Sequence, residues 1–271
     1  MRRFSIGRIF TYLVLIIISL FSVFPFLWMI IGSTNKSIDI IGGKMTFGPH
    51  LIENFKILFE KYDMSQGILN SVKISVITVI AILLITSMAA YGFQIFKSKG
   101  KEKVYSFFML TMMIPFATLM IPLFKIIVGM NLLNSHFAII LVSSASVFMI
   151  FFFRQSFSNY PIEIIQAARV DGASEVKIFF NIFMPSMKST FFAAAIYSFM
   201  TSWNAYMWPL IILRTNDKKT TPLLISYMSS AYNPEYGVIL LAIVLSTLPV
   251  IFIFFVFQKQ FVQGMIGSVK Q

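Results

Sequence analysis

The sequence has no cysteine and only two histidines, and this scarcity excludes several kinds of chemistry. Without cysteine the chain cannot form a disulfide, a thiolate metal site or a cysteine nucleophile. The histidines, His50 and His136, lie far apart and predict no metal site. The phosphate-binding pattern G-x-x-x-x-G-K-[ST] is absent as well. We therefore expect no catalytic site, no cofactor and no metal in this chain itself.

Charged residues are also scarce, at 12% of 271 residues, whereas hydrophobic residues make up 58%. The mean hydropathy of +0.82 is far outside the range of ordinary soluble domains and predicts an all-α integral membrane protein. The net charge of +12 is not gathered in one run or on one face. We interpret it as a signal of membrane topology and expect no nucleic-acid partner.

Six apolar stretches are long enough to cross a bilayer core, which takes about 20 residues. We place these spans, within one transmembrane domain over 1–271, at 11–31, 74–96, 104–128, 137–153, 190–213 and 237–257. Lysine and arginine are denser in 1–10, 97–103, 154–189 and 258–271 than in the segments on the other side. Because cytoplasmic loops carry the excess of these residues, we expect both termini in the cytoplasm of a multi-pass cell-membrane protein.

None of the ten acidic residues falls within a predicted span, and Lys125 is the one charged residue that does. Ion-coupled transporters commonly carry an ionisable group inside the bilayer. A stand-alone ion-coupled secondary transporter is therefore the weaker of two functional hypotheses.

The segment 160–188, which we call the elbow, resembles a soluble helix pair placed between two spans. Pro161 favours a helix start near Tyr160, and glycine favours a helix end at Asp171–Gly172. Ser174 or Asp171 is a candidate cap for the second helix. One apolar stripe is predicted on that helix: Val176, Phe179, Phe180, Phe183, Met184 and Met187. From these residues alone, a coupling element and a simple interfacial hairpin remain equally open.

A spaced motif in the elbow resembles a known family. Gln166-Ala167-Ala168, three residues, Gly172, nine residues and Ile182-Phe183-Met184-Pro185 are similar to the cytoplasmic EAA loop of permeases from binding-protein-dependent ABC importers. Gln166 stands where the family has glutamate, and Met184 where it has leucine. The stretch SWNAYMWPLIIL (202–213) and the tail FVQGMIGSVKQ (261–271) resemble the second permease of maltose-type carbohydrate importers.

The resemblance implies a type I ABC importer fold of six transmembrane helices with a cytoplasmic coupling elbow. It implies a sugar or oligosaccharide importer in which this chain pairs with a sister permease in the lipid bilayer. An extracellular sugar-binding protein would deliver the sugar, and two ATPase subunits would bind ATP and Mg²⁺. The coupling residues implied by the motif are Gln166, Ala167, Ala168, Asp171, Gly172 and Ala173.

The fifth predicted span mixes aromatic rings with uncharged hydrogen-bonding groups, as a neutral polyol would require. Tyr197, Ser202, Trp203 and Asn204 are therefore candidates for lining a sugar pathway, and Ser143, Ser144 and Ser146 are weaker ones. Small polar residues also pack membrane helices against one another, so a purely structural role stays open. The same scaffold could also carry another solute, such as a polyol, a glycerol phosphate or an amino acid.

Overall fold

The computed structural model describes residues 6–266, with side chains from residue 10 to residue 258, and every regular element among them is helical. In chain order the α-helices are α1 Ile6–Gly32, α2 Ser37–Ile41, α3 Leu51–Glu60, α4 Met64–Ile95, α5 Lys99–Thr111, α6 Phe116–Gly129, α7 His136–Ser144, α8 Val147–Phe157, α9 Ile162–Val170, α10 Glu175–Ile178, α11 Met184–Ser186, α12 Lys188–Trp203, α13 Met207–Ile212, α14 Thr221–Ser229 and α15 Tyr236–Ile266. A π-helical segment, Phe179–Phe183, joins α10 to α11. The predicted all-α class is confirmed for these residues. The tail at 261–271 lies outside the residues whose side chains are described.

Three helices are each long and apolar enough to cross a membrane: Phe10–Gly32 within α1, Met64–Ile95 and Tyr236–Gln258 within α15. They contain the predicted spans 11–31 and 237–257 in full, and all of 74–96 except its last residue, Phe96. α4 begins at Met64 rather than at residue 74. Its first ten residues mix polar and apolar side chains, so hydropathy alone does not reveal that they are helical.

Two further predicted spans are bent rather than straight. The span at 104–128 is the pair α5 and α6, which meet at an angle of 104°. Pro115 caps α6, and its missing N–H and its ring prevent one helix from running through this point. The span at 137–153 is the pair α7 and α8, bent by 40°. The side chain of Ser146 accepts a hydrogen bond from the N–H of Met149 and so starts a new helix there.

The predicted span at 190–213 is interrupted too. α12 ends at Trp203, and Asn204 caps it by donating its side-chain amide to the carbonyl of Met200 at 2.9 Å. The 16 residues of α12 are fewer than a bilayer crossing by a single helix takes. By length and composition the described residues therefore offer three to five candidate spans, and the number six stays a prediction.

The chain packs as two compact units, Met1–Ser65 with Leu224–Pro249 and Gln66–Leu223 with Val250–Gln271. In the first unit the backbone after α1 lies close to the start of α15. The Asn54 amide donates to the carbonyls of Ser33 and Asn35, at 2.8 and 3.1 Å. A Cβ atom at Gly237 would collide with the Asn35 carbonyl, so this contact requires glycine.

The second unit contains two hydrophobic core clusters, and each supports one feature of functional interest. One cluster is rich in phenylalanine and holds the elbow, with Phe153, Phe157 and Phe183 fully buried. The other includes Ile139 and Trp208. The elbow and the helix breaks therefore belong to the same compact unit.

Candidate functional site

The first half of the elbow folds as its sequence predicts. α9 follows Pro161 directly and ends at Val170, with Asp171 as its cap. Gly172 has a φ of +78°, a left-handed conformation that other residues adopt only with strain. The Ser174 side chain accepts a hydrogen bond from the N–H of Lys177 and starts α10. The predicted helix, turn and cap are confirmed.

The second half of the elbow departs from the predicted apolar stripe. Phe179 and Phe183 are buried as expected, but Val176 is exposed and Ile178 is fully buried. The prediction assumed one regular helix with one buried face. Phe179–Phe183 is π-helical, and this segment packs on more than one side, with Ile165 of α9 in the same core cluster. The stripe was therefore wrong at Val176, and it missed Ile178.

Aromatic rings hold the elbow in place. The Phe183 ring centroid lies 5.0 Å from that of Tyr91, 4.6 Å from Phe157 and 4.6 Å from Tyr160. All three pairs have the edge-to-face geometry that aromatic quadrupoles favour. Since Phe183 is completely buried, this cluster fixes the elbow against α4 and α8.

A polar link joins the two halves of the elbow to the end of α4. One carboxylate oxygen of Glu175 lies 2.6 Å from Arg169 Nε, and the other accepts a hydrogen bond from the Tyr91 hydroxyl at 3.1 Å. The hydrogen bond from Arg169 lowers the pKa of Glu175 below its usual value of 4.5. The guanidinium of Arg169 also lies over the Phe96 ring, 5.3 Å from its centroid. Sequence reasoning missed this link, because its members are distant in sequence and match no motif.

The predicted coupling residues differ in their exposure. Ala168 is only 6% exposed and packs in the core cluster, so its methyl group supports the elbow from inside. Ala173 is half-buried. The exposed members are Gln166, Ala167, Asp171 and Gly172. Val170 is 88% exposed beside this turn and adds an apolar side chain that the motif did not indicate.

A second candidate site is a cleft of about 450 Å³ where three helix pairs are interrupted. We call it the cleft. It lies at the start of α6, at the break between α7 and α8, and at the break between α12 and α13, with α4 alongside. Its lining residues are Thr78, Ile82, Phe116, Val142, Ser143, Ala145, Ser146, Met149, Tyr197, Ser198, Thr201, Ser202, Ala205, Tyr206, Met207 and Trp208.

Aromatic rings form fixed walls of the cleft. Trp208 is buried, and its indole N–H donates to the carbonyl of Ala138 at 3.4 Å. Its ring meets Phe116 edge-on, with 6.1 Å between centroids. Tyr197 packs on Phe148 at 5.1 Å. These contacts hold the ring faces in position without a ligand.

Hydroxyl groups in the cleft differ in how far they are satisfied within the chain. Thr201 donates to the carbonyl of Tyr197 at 2.9 Å. The Thr78 hydroxyl oxygen, by contrast, is buried and has no partner among the described residues. The side-chain hydroxyls of Ser143 and Ser202 likewise make no hydrogen bond to a described residue. The cleft thus presents polar groups that a bound molecule can use.

The four predicted pathway residues divide evenly. Tyr197 and Ser202 line the cleft. Trp203 is buried and stacks on Phe199 with 5.6 Å between centroids, and Asn204 caps α12 outside the lining. Helical spacing explains this division, since neighbouring residues of one helix face different directions. Thr78 and Phe116 were missed because they are distant in sequence from the fifth span.

The charges around the cleft are as informative as its polar groups. None of the described residues that line it is charged. Lys125, the charged residue of the third predicted span, is exposed on α6 and is not part of the lining. Within the described residues there is no group of three histidine, cysteine or acidic side chains that could hold a metal ion.

Comparison with known proteins gives the family. Residues 82–267 match the family described as binding-protein-dependent transport system inner membrane component. This stretch contains the elbow and all of the cleft except Thr78. The chain belongs to this family. The resemblance drawn from the EAA-like motif is therefore confirmed, and the chain is a permease component, a non-catalytic multi-pass protein of the cell membrane.

Several permeases are similar to this one over nearly their whole length. The lactose transport system permease protein LacG of Rhizobium radiobacter is 49% identical over 268 residues, covering 99% of this chain and 98% of LacG. The arabinooligosaccharides transport system permease protein AraQ of Bacillus subtilis is 34% identical over 274 residues, covering 99% of this chain and 98% of AraQ. The sn-glycerol-3-phosphate transport system permease protein UgpE of Yersinia pestis is 26% identical, covering 97% of each chain.

A solved structure has the same fold. It belongs to a bacterial ABC transporter involved in the import of the acidic polysaccharide alginate. The TM-score is 0.83 at 22% identity, and the match covers 96% of this permease and 99% of that chain. The likeness establishes a type I importer fold for the permease. Systems of this family in general combine a permease with a partner permease, an ATPase and a binding protein.

Proposed function

We propose that this permease is one membrane-spanning subunit of an ATP-driven importer of neutral sugars or oligosaccharides. The observation that carries the proposal is the near full-length similarity to the lactose permease, at 49% identity. The similarity to the arabinooligosaccharide permease supports the same substrate class. In this proposal the chain forms the translocation pathway together with a sister permease, and it receives sugar from an extracellular binding protein.

The proposed topology has six spans, both termini in the cytoplasm and a cytoplasmic elbow. The spans are α1, α4, the pair α5 and α6, the pair α7 and α8, the pair α12 and α13, and α15. Interrupted helices are tolerated in membranes where the free backbone is buried in protein or lines a cavity. The three interrupted pairs line the cleft, which supports treating each of them as one broken span.

The elbow is proposed to seat on one of two partner ATPase subunits, which bind ATP and Mg²⁺. Gln166, Ala167, Asp171 and Gly172 provide an exposed corner of small and polar groups, and Val170 adds an apolar contact. Because the aromatic cluster and Glu175 fix the elbow to α4 and α8, a push on this corner moves those helices as well. Coupling also requires that the ATPase contact differ between its open and closed states, since a partner with equal affinity for both shifts nothing.

The test is to tag the permease at native expression, solubilise the membranes mildly and identify bound proteins by mass spectrometry. We expect a second permease and an ATPase subunit to co-purify. The purified complex, reconstituted in vesicles with its binding protein, is expected to import lactose or an arabinooligosaccharide only when ATP is present. Recovery of the chain alone would contradict the proposal. So would uptake that follows an ion gradient at constant ATP.

A further inference from the structure

We infer that the cleft is a binding subsite for a neutral sugar residue, and that this chain supplies contacts to the sugar instead of leaving all of them to the sister permease. The inference rests on the proposed function and makes its substrate class more specific. It further states that the cleft admits neutral sugars and disfavours phosphorylated or acidic ones.

The position of the cleft is the first support. Its walls are formed by residues at three helix breaks: between α5 and α6, between α7 and α8, and between α12 and α13. Transporters place substrate sites at such interrupted helices, because backbone polar groups released from the helix can then face a solute. The volume of about 450 Å³ lies in the range of roughly 300–1,000 Å³ that is usual for small-molecule sites.

The second support is a set of hydroxyl groups without partners among the described residues. The buried hydroxyl oxygen of Thr78 is unpaired among the described residues, and burial of an unpaired polar group is unfavourable. Ser143 and Ser202 add two further hydroxyls that bond to no described residue. Hydroxyls both donate and accept, so they can match sugar hydroxyls in either sense.

The third support is the combination of these hydroxyls with immobilised aromatic rings. Phe116 is 45% exposed, and the buried Trp208 holds it edge-on. The C–H face of a sugar ring packs well on an aromatic face, while its edge carries the hydroxyls. A cleft with fixed rings and several free hydroxyls fits both parts of a pyranose or furanose ring.

The lack of charged side chains among the described lining residues favours neutral over anionic sugars. A phosphate or carboxylate that enters a partly enclosed site needs a fixed cation or several charge-assisted hydrogen bonds. The described lining residues provide no lysine, arginine or histidine, and the amino group of Lys125 lies outside the cleft. A neutral sugar therefore loses less on entry than an anionic one of the same size.

The absence of cysteine makes a direct test possible, since a single introduced thiol is the only one in this chain. We would prepare Ser143→Cys and Ser202→Cys in the cleft, and Ser158→Cys as the matched control. Ser158 is exposed at the end of α8 and lies outside the lining. Membranes containing the whole importer, its binding protein and ATP are treated with methyl methanethiosulfonate, and modification of this chain is followed over time by mass spectrometry.

We expect millimolar lactose, or the arabinooligosaccharide if that is what is imported, to slow modification of both cleft thiols at least threefold. The control thiol should react at an unchanged rate, and sn-glycerol 3-phosphate at equal concentration should protect neither cleft position. The inference is overturned if the sugar protects neither cleft thiol, if glycerol phosphate protects equally well, or if the cleft thiols do not react at all.

ATP-driven uptake measured in the same membranes separates the two proposals. If a neutral sugar is imported but does not protect the cleft thiols, the subsite inference is wrong and the proposed importer function still holds. If no neutral sugar is imported while the complex hydrolyses ATP, the proposed function itself is wrong.

Discussion

The elbow and the cleft belong to the same compact unit, yet they use polar groups in opposite ways. In the elbow both carboxylate oxygens of Glu175 have partners, and the rings around Phe183 leave it no exposed surface. Around the cleft three helix pairs are interrupted, and hydroxyls such as that of Thr78 lack partners among the described residues. Satisfied polar groups suit a region that must keep its shape, as we propose for the elbow, and unpaired ones suit a region that binds a solute, as we propose for the cleft.

The largest expected effect comes from emptying the centre of the elbow. Phe183→Ala removes a fully buried ring with three aromatic neighbours, and we expect the free energy of unfolding to fall by about 3–5 kcal/mol. Phe116→Ala, which removes a half-exposed ring from the cleft, should cost less than half as much. The thermal stability of each solubilised variant gives the two losses. Equal losses in Phe183→Ala and Phe116→Ala would contradict the proposed difference in packing between the elbow and the cleft.

Straining the elbow turn should have the next largest effect. Gly172→Val places a β-branched residue at a φ of +78°, which costs roughly 1–2 kcal/mol even though no atom lies within 4 Å of the new Cβ. We expect sugar uptake to drop severalfold at unchanged membrane abundance. Gly172→Asn should retain most uptake, because asparagine tolerates left-handed backbone. Gly100→Val, at an open helical position, is the control, and normal uptake by Gly172→Val would argue against the elbow as a coupling element.

Removal of single tyrosine hydroxyls compares the two regions directly. Tyr91→Phe loses the hydrogen bond to Glu175 and should cost about 1 kcal/mol, with fewer sugars imported per ATP hydrolysed. Tyr197→Phe removes a cleft hydroxyl that has no partner among the described residues, so stability should be unchanged. Melting temperature and the ratio of uptake to ATP hydrolysis are measured for both. An unchanged ratio in Tyr91→Phe would show that this link has no part in coupling.

Thr78→Val is expected to have the smallest effect on stability, with either no change or a small gain. Removing a buried hydroxyl without a partner should leave stability unchanged or raise it by up to about 1 kcal/mol, while uptake falls severalfold. Thr86→Val is the matched control on the same helix. The Thr86 hydroxyl donates to the carbonyl of Ile82 at 2.6 Å, so its removal should lower stability slightly and spare uptake. A Thr78→Val variant with full uptake would remove Thr78 from the subsite.

Local sequence signals predicted the elbow better than the cleft. Pro161, Gly172 and Ser174 act within a few residues of their positions, so the helix, the turn and the cap could be predicted from the sequence. The link from Arg169 through Glu175 to Tyr91 could not, because it depends on how α4 packs against the elbow.

The cleft was harder to predict because it forms where helices stop. A hydropathy window averages over Pro115 and Ser146 and returns one apolar stretch, whereas the backbone turns at these residues. Adjacent residues also differ in direction, which is why Ser202 lines the cleft and Trp203 is buried away from it. Thr78 lies in an otherwise apolar run and gave no signal.

The uninterrupted length of α4 has a mechanical consequence. Tyr91, near the C-terminal end of this helix, bonds to the elbow, and Thr78, on the same helix, lines the cleft. The two residues are thirteen positions apart, or about 20 Å along a helix. The helix pairs that form the other walls are interrupted, whereas α4 is continuous, so we expect α4 to move as one rigid rod. We therefore expect a tilt imposed at its elbow end to reach Thr78 as a change in the width of the cleft.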